Sequence, residues 1–264
     1  METPLHILHF ETYSRHADAD WMVLIHGAGG STVTWKRQIP ELSRYYNLLL
    51  VDLPGHGKMA SRSNNDPAYS FEGIGMKIWE VIDHLKLTRV HLVGVSLGTV
   101  IALAMCEQRS HNVASLINGG AIVRLSKKLK LLARASLALA KVIGYPAFYK
   151  LSAAVMMPRK NHQTSRDVFI RESRFLSTQE FQKWTAMYRG LDETLNRLFH
   201  AEMAIPHLMV MGAQDHLFLD PARKYVALHN DVQLEILAGC GHVVSIEQAA
   251  KFNRLCLAFL NQLK

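Results

Sequence analysis

The chain alternates between short, nearly unbroken apolar runs and longer stretches in which apolar residues recur every three or four positions. The runs are HILHF (6–10), WMVLIH (21–26), NLLLVDL (47–53), RVHLVGV (89–95), VASLINGGA (113–121), PHLMVMG (206–212) and VQLEILAG (232–239). Runs of this kind suit strands buried on both faces, as in a parallel sheet. Between them, Phe71, Ile74, Ile78, Ile82 and Leu85 keep a helical spacing, with Ser70 placed as N-cap. Residues 97–108 and 246–263 also read as helices. The alternation predicts an α/β fold with a mostly parallel central sheet flanked by helices.

One block departs from the alternation. About 80 residues between VASLINGGA and PHLMVMG carry no strand pattern. LSKKLKLLARASLALAKVIG (125–144) predicts a helix with Leu125, Leu129, Leu132, Leu139 and Ile143 along one seam, broken by Gly144 and Pro146. A second helix is expected near 163–175, and a third from Ser177, with Glu180 completing a capping box. The block reads as a helical cap, residues 122–200, inserted into a core of 1–121 and 201–264. Met156, Met157, Phe169, Phe175, Leu176, Trp184, Met187 and Tyr188 are candidates to line a pocket beneath it or to pack it on the sheet.

Candidate chemistry enters at Gly94-Val95-Ser96-Leu97-Gly98, a G-x-S-x-G pattern between a predicted strand and a predicted helix. There a serine occupies a tight turn that lifts its hydroxyl clear of the sheet. Side chains at 94 or 98 would collide where strand and helix pass. The N–H of Leu97 opens the helix, where a developing oxyanion is favoured. A serine hydroxyl needs a base, and the base needs an orienting acid. Asp215 follows the run ending at Gly212, and His242 follows the run ending at Gly239. All three stand just after the C-terminal ends of predicted strands, where open α/β sheets gather their sites.

On these residues the chain resembles the α/β-hydrolase superfamily over nearly its whole length. The matching features are His26-Gly27 after WMVLIH, Asp52-x-x-Gly55-x-Gly57, the turn at Ser96, the Asp215 loop and Gly241-His242, in that order. The resemblance implies Ser96 as nucleophile, His242 as general base and then acid, and Asp215 as its orienter. It also implies an oxyanion hole from the N–H groups of Leu97 and Ala28, with Gly29 the nearest alternative to Ala28. The sequence departs from the family at Thr99, where a small residue is common, at Ala28, where a bulky apolar residue is frequent, and at Ala249, which replaces a frequent proline.

Composition and charge narrow the partners. Apolar residues make up 49% and charged residues 20%, enough for a sizeable core. No run approaches the roughly 20 apolar residues of a membrane span, and the N-terminus lacks a signal-peptide pattern, so a soluble, cytoplasmic protein without stable membrane insertion is expected. Cys106, Cys240 and Cys256 form no C-x-x-C pair and are expected to be reduced and partly buried. The net charge is +8, and residues 122–200 hold 7 Lys and 8 Arg against 2 Asp and 3 Glu. The cap is therefore basic and the core near neutral. That charge could solvate an outer face, draw an anionic substrate or touch anionic lipid. Aromatic residues are not interleaved with it as stacking platforms, which argues against nucleic acid. Arg124 is a candidate contact for a substrate carboxylate and His216 a candidate pocket residue. His26 and His56 read as structural. The absence of H-E-x-x-H and G-x-G-x-x-G patterns argues against a catalytic metal or a nucleotide cofactor.

The expected activity is hydrolysis of a small to medium carboxylic ester through an acyl-enzyme, with a small-molecule acyl substrate and no cofactor. Thioester, lactone or C–C bond hydrolysis, or a lyase reaction on an anionic substrate, would use the same three side chains. A non-catalytic binding protein on the same fold is the reading of another class.

Overall fold

The computed structural model describes residues 7–15, 17–60 and 69–264. Its elements run β1 (Phe10–Tyr13), β2 (Trp21–Ile25), α1 (Ile39–Leu42), β3 (Asn47–Val51), α2 (Phe71–His84), β4 (Val90–Val95), α3 (Leu97–Gln108) and β5 (Val113–Gly119). Five helices follow: α4 (Lys127–Ile143), α5 (Tyr145–Met156), α6 (Gln163–Ser173), α7 (Thr178–Met187) and α8 (Leu191–His200). The chain then returns to the sheet with β6 (His207–Gly212), α9 (Leu219–Val226), β7 (Val232–Leu237), α10 (Val244–Glu247) and α11 (Ala249–Asn261). The seven strands lie in the order β1-β3-β2-β4-β5-β6-β7, with β1 antiparallel and the others parallel.

The near-continuous apolar runs follow from burial on both faces. In β2 and β3, Val23, Ile25, Leu49 and Val51 join one core with α2, α3, α8 and α9. Met22, Leu24, Leu48 and Leu50 point to the other face, where α1 and α11 supply Leu42, Phe252, Cys256 and Phe259. The result is a sheet between two helical layers. All three cysteines are free and buried.

The first predicted run is displaced. β1 begins at Phe10 because its pairing with β3 sets Phe10 opposite Val51, while Ile7 and Leu8 are buried just ahead of it and His6 lies outside the described residues. The segment between β5 and β6 holds five helices rather than three. Gly144 and Pro146 do end α4, but the proline stands in the first turn of α5, where its missing N–H costs nothing. α8 is a further helix beyond the three that the apolar spacing predicts. The capping box expected at Ser177 is half formed. Ser177 Oγ accepts from the Glu180 N–H at 3.1 Å. The Glu180 carboxylate turns instead to the Tyr69 hydroxyl and to Lys183, 3.0 Å away.

Candidate active site

Ser96 stands between β4 and α3 with φ 55° and ψ −122°, a conformation that non-glycine residues rarely adopt. The turn is held by its neighbours. A Cβ on Gly94 would approach the Gly98 carbonyl oxygen to 2.6 Å, and one on Gly98 would run into the carbonyl oxygen of Ile25. Thr99, where a small residue was expected, has a bridging role. Its hydroxyl donates to the Ser96 carbonyl at 2.6 Å and accepts from the Ile122 N–H at 3.0 Å, tying the turn to the stretch between β5 and α4.

The structure brings the three sequence-predicted side chains together. Ser96 Oγ lies 2.8 Å from His242 Nε2, and His242 Nδ1 lies 2.7 Å from Asp215 Oδ2. Asp215 Oδ1 accepts the N–H groups of Leu217 and Phe218 at 3.2 and 3.1 Å. Burial would raise the Asp215 carboxyl, but His242 and these two amides outweigh it and hold it below the usual aspartate value. An ionised carboxylate only accepts, so the proton shared with His242 resides on Nδ1, and Nε2 is left to accept the Ser96 hydroxyl. Asp215 and His242 are buried, while Ser96 is half-buried and lines a cleft.

Residues 22–255 match the α/β hydrolase family. The chain belongs to that family. It is 26% identical over 250 residues to the 2-hydroxy-6-oxo-2,4-heptadienoate hydrolase of Pseudomonas putida, a match spanning 90% of this chain and 88% of that one. A thermophilic esterase from Thermogutta terrifontis superimposes with a TM-score of 0.80 at 20% identity, covering 97% of this chain and 93% of the esterase. The enol-lactonase from Burkholderia xenovorans LB400 gives 0.78 at 18% identity and 96% of each chain. The structural likeness at these identities speaks for the fold.

In this α/β hydrolase, two neutral histidines shape the loop after β2. His26 Nδ1 donates to the Gly27 carbonyl at 2.8 Å and its Nε2 accepts the Leu53 N–H at 3.0 Å. His56 Nδ1 donates to the Pro54 carbonyl at 3.0 Å, and its Nε2 accepts the Gly29 N–H at 3.0 Å. The Gly29 N–H is therefore spent, which removes it as the alternative oxyanion donor. Among the described residues the N–H groups of Ala28 and Leu97 meet no protein acceptor. The buried Asp52 carboxylate fixes the same region by accepting from the Thr32 and Lys58 amides at 2.7 and 2.9 Å.

Burial pushes His26 down to about 4, and burial together with His26 pushes His56 to about 3. Burial likewise lowers His207, beside His229, to about 3. Below pH 6.5 the unfolded chain takes up protons that these folded imidazoles refuse. Their contribution to stability is complete above pH 6.5 and is lost as pH falls toward 3, at up to about 1.4 kcal/mol per pH unit for each. The urea midpoint is thus expected to drop between pH 7.5 and pH 5, and a flat midpoint would contradict the neutral assignments.

Two expectations are corrected. His216 is exposed and does not line the cleft. Arg124 is exposed, with its guanidinium 5.0 Å above the Phe199 ring, so it too lies off the cleft. Of the apolar candidates, Met156, Met157 and Phe169 line the cleft, Leu176, Trp184 and Met187 are buried in packing, and Phe175 is exposed.

Sequence reading missed a clamp around the Asp215 and His242 loops. The Glu247 carboxylate accepts the N–H of Gly241 at 2.6 Å and of Val243 at 3.3 Å, one on each side of His242. His162, fully buried, accepts the Arg159 N–H at Nδ1 and donates from Nε2 to Gln214 Oε1 at 2.8 Å. Asn161 Nδ2 reaches the same oxygen at 2.9 Å and the Gly239 carbonyl at 3.0 Å. Gln214 precedes Asp215, so the turn between α5 and α6 grips both loops at once. An acid one turn into the helix after His242 is the trace of this clamp in the sequence.

Proposed function

We propose that the chain is a serine hydrolase that cleaves a small to medium carboxylic ester through an acyl-enzyme, with residues 122–200 as a cap on a core of 1–121 and 201–264. The observation that carries this is the Ser96–His242–Asp215 relay, with links of 2.8 and 2.7 Å, opening on an apolar cleft. In this reading Ser96 Oγ attacks the carbonyl as its proton passes to His242 Nε2, and Asp215 stabilises the imidazolium. The oxyanion forms against the N–H groups of Leu97 and Ala28. His242 then returns the proton to the leaving alkoxide. Water, activated by the same imidazole, releases the acid.

The substrate class is read from the lining. Trp35, Met156, Met157, Val168, Phe169 and Ile246 give an apolar wall, and the empty space, open mouth included, is about 540 Å³. None of the described lining residues is Lys or Arg. That supports a neutral acyl group over the anionic substrates that the basic segment suggested. The test is a panel of p-nitrophenyl esters, acyl-CoA thioesters, lactones and a vinylogous diketone acid, with fluorophosphonate labelling. Short-chain ester turnover and labelling at Ser96 are expected. Turnover confined to a thioester, lactone or C–C substrate would replace the ester assignment. Folded protein that takes no label at Ser96 would make it a binding protein.

If the clamp positions the base, Glu247→Gln should lower kcat about tenfold with KM little changed, because one loop amide loses its acceptor and His242 loosens. An equal change in KM and none in kcat would point to a role in substrate binding instead.

A further inference from the structure

The seam predicted along α4 does not turn inward as a whole. Leu125 and Leu129 pack against the core and Ala140 is buried. Leu132, Leu139 and Ile143 are 45%, 41% and 37% exposed, and Leu131 beside them is 71% exposed. Steps of seven and four place 132, 139 and 143 in one stripe. α5, which packs against α4, also carries an exposed leucine, Leu151, 42% exposed. Large exposed apolar side chains that recur along one helix suit docking on another apolar surface.

Charge indicates what covers it. The α4 sequence, KKLKLLARASLALAKVI, holds five cations and no acid. Lys127 and Lys128 are exposed in its first turn, where the helix dipole disfavours positive charge unless an anion lies nearby. Lys150 on α5 and Arg124 ahead of α4 are exposed as well. Lys130 already has a partner in Asp192. A second copy of the chain would bring one segment of net charge +10 against another. A bilayer with anionic headgroups meets both needs together, phosphate and carboxylate for the lysines and acyl chains for the leucines.

We propose that α4 is a membrane-interface helix that docks this hydrolase on anionic lipid. Among the described residues no helix is long and apolar enough to cross a membrane, so α4 lies in the headgroup plane with Leu131, Leu132, Leu139 and Ile143 entering the acyl boundary. The proposal is independent of the reaction assigned to Ser96.

The experiment is sedimentation of the intact chain with phosphatidylcholine vesicles, with and without about 30% phosphatidylserine. Binding is expected with phosphatidylserine, weakening as salt is raised. Leu132→Glu/Leu139→Glu should reduce partitioning about tenfold or more, since two apolar anchors become charges repelled by the surface. Lys127→Glu/Lys128→Glu should abolish the preference for phosphatidylserine. Circular dichroism and solution ester turnover serve as controls for folding. Should the leucine pair fail to fold, Leu131→Gln carries the same test at the most exposed position. Equal binding to both vesicle types, or undiminished binding by the leucine variants, overturns the proposal. So does a dimer that the leucine variants dissociate with no vesicle binding in the parent, because the face would then be a self-association surface.

Discussion

Replacing Ser96 by alanine is expected to cut kcat/KM for the best ester by roughly 10⁴ to 10⁶ while leaving the fold intact. The substitution deletes one oxygen. Alanine at φ 55° is strained to the same degree as serine, so the strand–turn–helix junction does not change shape. Gly94 and Gly98 still permit the close passage of β4 and α3. What goes is the acyl-enzyme route. The remaining rate would come from water attacking a carbonyl held by the Leu97 and Ala28 amides. Stopped-flow release of p-nitrophenol is the decisive measurement, since the parent should show a burst and the variant none. A variant that keeps more than about a tenth of the activity would rule out Ser96 as nucleophile.

Asp215→Asn should follow with a loss of about 10⁴ in kcat. The asparagine oxygen can keep the Leu217 and Phe218 amides, so the loop is retained. Its NH₂ group, however, meets His242 Nδ1 as a donor. That drives the imidazole proton to Nε2, which then cannot accept from Ser96 Oγ. Stability should respond with a definite sign. The folded carboxyl of Asp215 is held low, so its contribution is present above the unfolded aspartate value and disappears as pH falls through the folded one. The variant should therefore be less stable than the parent near pH 7 and converge with it in acid. Urea unfolding of both proteins across that range checks this. Near-parental turnover at neutral pH would mean that His242 takes its orientation elsewhere.

The sheet and the three relay residues were legible because each signal is local. An apolar run ends, a glycine-rich turn follows, and a reactive side chain stands at the strand's C-terminal end. Ser96, Asp215 and His242 each obey that rule, and the sheet order then carries them to one edge. The clamp obeys no such rule. His162 lies 52 residues from Gln214 and 79 from Gly241, beside which it packs, so only the folded chain joins them. α5 was hidden for the opposite reason. Its glycine and proline are true punctuation, but a proline in a first turn opens a helix as readily as it closes the one before. The α4 seam shows a third kind of limit. Helical spacing identifies a stripe and does not say whether protein or something else will cover it.

The three thiols have a practical corollary. Cys106, Cys240 and Cys256 are buried, and burial raises each well above the range in which a thiolate forms at neutral pH. Alkylating reagents therefore find little to react with in the native protein. A single cysteine introduced on the outer side of α4 could carry a fluorophore or spin label with low background, so that immersion depth could be read residue by residue without first stripping the chain of its own sulfur.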